Sequence, residues 1–125
     1  MPIHRCPRCR AEDISADAHP TRILDNGVLR PILVCRRCYR AAELELRIAC
    51  ETADVPLEPM PIRDALALRA DFYLDRLADL DDPDLLMEDA DRAEAKRPIL
   101  AALDETRRKL ALGPVAGPGD DDRLR

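Results

Sequence analysis

A chain of 125 residues with one Phe, two Tyr and no Trp must build its core from Leu, Ile, Val and Ala, as one domain or one small module with an extension. No run of about 18 apolar residues is present, which excludes a membrane-spanning helix, and no signal peptide is visible behind Met1-Pro2-Ile3-His4-Arg5-Cys6. The formal charge of −5 divides into +3 over residues 1–50 and −8 over residues 51–125. Reduced thiols in a cytoplasmic setting are the expectation, with two disulfides as the alternative in a secreted protein.

The chain opens on Cys6-Pro7-Arg8-Cys9. A C-x-x-C turn places two sulfurs on one side of a tight loop, where backbone N–H groups spread thiolate charge. Residues 10–20 read as a loop, with His19 beside Pro20 expected to be solvated. Thr21-Arg22-Ile23-Leu24 is a short strand, Asp25-Asn26-Gly27 a turn and Val28–Val34 the returning strand. Asn-Gly tolerates the positive φ of a type I′ turn. Pro31 lacks an N–H and predicts an edge or a bulge.

Cys35-Arg36-Arg37-Cys38 completes the pattern C-x2-C-x25-C-x2-C. Four thiolates suit one Zn²⁺, because sulfur is a soft donor and zinc accepts a tetrahedral Cys₄ set. Cys6, Cys9, Cys35 and Cys38 are therefore the predicted ligands of a single structural zinc. Such a site is closed and offers no open position for chemistry. His4, in a His-x-Cys arrangement, is a rival donor, but an exposed terminal histidine is the expected reading.

From Tyr39 to Cys50, good helix formers compete with an alternation of Leu44, Leu46 and Ile48 that suits a strand; helix is favoured. Cys50 is expected in the core. Pro56, Pro59 and Pro61 mark a linker over 54–61. Ile62, Leu66, Arg69, Tyr73, Leu77 and Leu80, widened by Ala65, Phe72 and Ala78, predict an amphipathic helix over 62–80. Asp82 as N-cap with Pro83 at N1 predicts a second helix from about 83. Pro98 should kink or interrupt that helix, which resumes through Ile99, Leu100, Leu103, Leu110 and Leu112. Gly113-Pro114 stops it, and 113–125 is expected to be a disordered acidic tail. The fold class is α+β: a zinc module over 1–53, the linker, an antiparallel helical hairpin over 62–112, and the tail.

The cysteine pattern over residues 4–50 resembles the treble-clef and zinc-ribbon superfamilies. A helix after Cys38 would match the treble clef, a strand the zinc ribbon. The resemblance implies binding of nucleic acid or of other proteins in transcription or translation machinery. Two departures stand out. Ribbon knuckles commonly carry Gly after the second cysteine, where this chain has Arg10 and Tyr39, and the 25-residue gap is long. No histidine follows residue 19, which argues against the chemistry of treble-clef nucleases.

Arg5, Arg8, Arg10, Arg36, Arg37 and Arg40 surround the two knuckles. A guanidinium fork binds phosphate or carboxylate, so a phosphate backbone or an acidic protein surface is the expected partner. At the tip of the helical hairpin stand Asp79, Asp81, Asp82 and Asp84. Helix capping accounts for such a cluster. Asp81-Asp82-Pro83-Asp84-Leu85-Leu86 is also loosely similar to the acidic tip of RNA polymerase secondary-channel regulators, with the order of parts reversed. The sequence thus points to a non-enzymatic zinc-binding accessory factor of a nucleic-acid machine. Its partner would be a larger protein or protein–nucleic acid complex, DNA or RNA included, and neither a membrane nor a small-molecule substrate. The alternatives are a protein–protein adaptor docking through its apolar helix stripe, and the secondary-channel-like regulator.

Overall fold

The computed structural model describes residues 4–112; the predicted tail, 113–125, lies outside the described residues. Five elements follow one another: β1 (His19–Asp25), β2 (Val28–Val34), α1 (Arg36–Ala53), α2 (Ile62–Leu80) and α3 (Asp89–Leu112). The α+β class holds.

β1 and β2 form an antiparallel hairpin in register Asp25↔Val28 through His19↔Val34. Asn26 (φ 52°) and Gly27 (φ 80°) both adopt positive φ, as a type I′ turn requires. Pro31 pairs with Arg22 in an unbroken register, so the edge reading holds without a bulge. The first strand begins at His19, earlier than expected. His19 is therefore a strand residue, half-buried and hydrogen-bonded through Nε2 to Asp17 at 2.9 Å, rather than a solvated loop histidine.

The segment after Cys38 is a helix. α1 starts directly after Cys35 and ends at Asp54, whose left-handed φ of 57° lets its N–H reach back to the last-turn carbonyls. Its buried face is Cys38, Ala42, Leu46 and Cys50, four residues apart, so Cys50 is a core residue as expected.

α2 occupies the predicted span and buries Leu66, Ala70, Tyr73 and Leu80. α3 starts at Asp89, not at about 83. Asp82 does not cap a helix; its Oδ1 accepts the N–H of Asp84 and its carbonyl accepts the N–H of Leu85, closing a turn. Leu85 and Met87 fold back against the core. The Arg92 guanidinium pins the segment by donating to the Leu80 and Met87 carbonyls. Pro98 lies within α3, which continues through it. Ile99, Leu103 and Thr106 face inward, whereas Leu100 and Leu112 are exposed, contrary to the predicted stripe.

α2 and α3 run antiparallel. Arg63, at the start of α2, donates to the Leu110 carbonyl near the end of α3, while Asp81 pairs with Lys96 at the other end. One continuous core joins the two halves, from Cys6, Ile14, Ala18 and Val34 to Tyr73, Leu80, Ile99 and Leu103. Tyr73 is the joint: it is fully buried, and its hydroxyl accepts the Ala18 N–H at 3.1 Å and the Arg69 Nη2 at 3.3 Å.

Candidate metal centre

Cys6 and Cys9 enter on the first knuckle. Within it the Arg10 N–H bonds to the Cys6 carbonyl at 2.8 Å and the Cys6 N–H to the Glu12 carbonyl at 2.9 Å. Arg10 stands at φ 60°, the left-handed conformation that a glycine would adopt with least strain. The backbone thus keeps the knuckle shape despite the missing glycine. Tyr39 needs no such conformation, because it lies within α1. Cys35 ends the hairpin and serves as the N-cap residue of α1, and Cys38 sits in its first turn.

All four Sγ atoms lie within 4.8 Å of one another, and Cys9 and Cys35 are 3.8 Å apart. A tetrahedral zinc with Zn–S bonds of about 2.3 Å has sulfur–sulfur edges of about 3.8 Å. The donor set therefore fits one thiophilic ion, whereas all four cysteines are free thiols rather than disulfides. His4 is not part of the cluster. It is half-buried against the helical hairpin, its Nε2 3.5 Å from Asp79 and its ring edge-on to Phe72.

The surroundings treat the four sulfurs unequally. Backbone N–H groups of Ala11 and Glu12 draw the Cys9 thiol down to about 6. Burial pushes the Cys6 thiol up, but N–H groups of Cys9, Cys35 and Arg8 outweigh it and leave the thiol below its usual range. Burial raises Cys35 to about 12. The Cys35 N–H also lies 3.3 Å from Cys6 Sγ, and Arg8 Nη1 donates to Cys38 Sγ at 3.4 Å. Cys9 is the exposed member of the four.

The six knuckle arginines divide. Arg8 also grips Glu45 through Nε and Nη2, and its guanidinium holds the Glu45 carboxyl below its usual range. Arg37 pairs with Glu12 at 2.9 Å, and Arg5 donates to the Ala11 carbonyl. Arg36 has only a long 3.9 Å contact to Asp17. Among the described residues Arg10 and Arg40 make no ion pair and are exposed. Of the six, Arg8 touches a cysteine of the cluster, and sequence reasoning missed the carboxylates Glu12 and Glu45 that engage Arg37 and Arg8. Their spacing from the arginines, 25 and 37 residues, carries no local signal.

The hairpin tip is also largely engaged. Asp79 pairs with Arg76 at 3.0 Å and approaches His4, Asp81 pairs with Lys96, and Asp82 closes the turn. Asp84 alone has no side-chain partner among the described residues. No described helix is long and apolar enough to cross a membrane. No protein-family model, curated protein or solved structure matches this chain.

Proposed function

We propose that this chain is a non-enzymatic accessory protein, stabilised by one structural zinc, that meets a nucleic-acid machine through its knuckle face. The observation that carries the reading is the pairing of a closed four-cysteine cluster with exposed guanidiniums on its two turns: Arg10 and Arg40, which make no ion pair among the described residues, and Arg36, which has only a long contact to Asp17. A Cys₄ ion has no open position for a substrate. The helix launched from the second pair is the treble-clef order, which supports a binding role. Free thiols suit a reducing compartment such as the cytoplasm.

Three exposed arginines can neutralise about three phosphates, for a slope near −0.9 per phosphate in log affinity against log salt. Affinity for a labelled oligonucleotide should fall about 20-fold between 50 and 150 mM salt. Fluorescence anisotropy with single- and double-stranded DNA and RNA measures it. Absence of binding at low salt, or unchanged binding by the variant carrying Arg10→Ala, Arg36→Ala and Arg40→Ala, refutes the reading.

The second reading is a protein–protein adaptor. It is favoured by Leu44 and Ile48, which stand exposed on α1. The apolar stripe of α2 and α3 supports it less, because that stripe is consumed by packing inside the chain. The acidic-tip regulator has the least support, since Asp79, Asp81 and Asp82 are committed internally.

A further inference from the structure

We infer that α1 is a self-association surface, and that two copies of the chain pair their α1 helices antiparallel through Leu44 and Ile48. α1 uses one face for the core, at Cys38, Ala42, Leu46 and Cys50. The opposite face carries Arg40, Leu44, Ile48 and Glu51, with Leu44 52% and Ile48 53% exposed. A surface helix ordinarily turns polar residues to water at the centre of that face. Here the centre is an aliphatic pair one turn apart.

The order of charge along this face selects the occupant. Arg36, Arg37 and Arg40 lie at the N-terminal end of α1, and Glu51 and Asp54 at the C-terminal end. Arg40 and Glu51 make no ion pair among the described residues. A two-fold axis midway between Leu44 and Ile48 sets Leu44 of one copy against Ile48 of the other. At 1.5 Å rise per residue, Arg40 lies about 9 Å before that midpoint and Glu51 about 7.5 Å after it. Arg40 of each copy therefore meets Glu51 of the other. The face is self-complementary, as a closed two-fold interface requires, and the opposed helix dipoles agree with it. One feature opposes it: Arg47 of each copy flanks the axis beside its twin. A pairing of about three helical turns falls at the small end of stable interfaces, so a dimer of micromolar affinity is expected.

Sedimentation velocity of the zinc-loaded full chain, from about 1 to 300 μM, tests this. The monomer of 14.0 kDa should give way to a species of about 28 kDa as concentration rises. Leu44→Asp with Ile48→Asp should weaken the dimer at least about tenfold. Arg40→Glu and Glu51→Arg should each weaken it, and the two together should restore it, because the exchanged charges meet again across the axis. Arg47→Gln should tighten it. All these side chains are exposed; should an aspartate at 44 disturb the helix by circular dichroism, Leu44→Ser with Ile48→Ser replaces it. A monomer throughout the range overturns the inference and leaves the face to a different protein. A dimer indifferent to Leu44 and Ile48 overturns it too, and a double charge exchange that fails to rescue overturns the antiparallel register. Arg10→Ala with Arg36→Ala, which leaves the shared Arg40 in place, should dimerise normally even if oligonucleotide binding is lost or was never present, so that failure of one reading is told apart from failure of the other.

Discussion

The cysteine-bearing half and the helical half of the core contain different material. Residues 4–53 bury Ile14, Ala18, Val34, Ala42 and Leu46 together with Cys6, Cys35, Cys38 and Cys50. Residues 62–112 bury Leu66, Ala70, Tyr73, Leu80, Ile99 and Leu103. The first set is small and rich in sulfur, too little hydrocarbon to hold some fifty residues together unaided. The second is an ordinary leucine seam between two helices. The difference teaches that one half has little core of its own and gathers four cysteines that could hold a metal cross-link, while the other rests on packing, with Tyr73 joining the two.

Metal removal is the harshest way to break that comparison. Structural zinc in small modules is worth about 10–16 kcal/mol of apparent binding energy, which is folding energy. Chelation, or Cys6→Ser, should unravel the hairpin and the start of α1 while helical signal from α2 and α3 persists in part. Circular dichroism and amide NMR check this, with one zinc per chain by elemental analysis. An unchanged NMR spectrum after chelation would falsify the claim that the first half depends on the metal.

Tyr73 sharpens the comparison next. Tyr73→Ala should cost about 3–5 kcal/mol by cavity formation. Tyr73→Phe should cost about 1–3 kcal/mol, because it leaves the buried Ala18 N–H without an acceptor. Chemical denaturation measures both. If Tyr73→Phe is neutral, the two halves are joined by packing alone.

Removal of the Arg8 side chain takes a donor from Cys38 and the partner from Glu45. Arg8→Ala should weaken metal binding about tenfold, as outer-shell losses do, measured by competition with a zinc chelator. The pH dependence follows from the sulfurs. Metal displaces protons from thiols, so affinity falls as pH falls. Cys9, drawn down to about 6, is already a thiolate at neutral pH, whereas Cys35, raised to about 12, must give up its proton. Binding at pH 7.5 should therefore release no more than about three protons per ion, with Cys9 contributing only near pH 6 and below. A pH indicator in weak buffer counts them, and four protons at pH 7.5 would contradict the assignment for Cys9. The smallest effect belongs to Arg10→Gly. Relief of the left-handed strain, about 1–2 kcal/mol, is partly cancelled by the freer unfolded chain. A net gain of about 0.5–1 kcal/mol is expected in thermal unfolding of the zinc-loaded chain.

Much of this architecture is legible along the chain because its determinants are local. Asn26-Gly27 dictates the turn, the cysteine spacing dictates the knuckles, and the 62–80 periodicity dictates α2. What escaped is what tertiary placement decides. Asp82-Pro83 carries a good helix-start signal, yet the segment turns instead so that Leu85 and Met87 can reach the core. The strand alternative for 44–48 arose because Leu44, Leu46 and Ile48 alternate with charge, and the favoured helix holds. What the pattern hid is the placement of Leu44 and Ile48. They are outward-facing on a helix, and their exposure became visible only with Leu46 buried between them. Which arginines remain free depended on Glu12 and Glu45, distant in sequence.

The uneven burial of the four sulfurs bears on how fast a metal could come and go. With Cys6, Cys35 and Cys38 buried and Cys9 at the surface, exchange of a metal held there would begin at one sulfur. A chelator or an alkylating reagent would reach Cys9 before the three buried sulfurs. The backbone N–H groups of Ala11 and Glu12, which steady that one sulfur, would then bear on how readily a bound metal is given up.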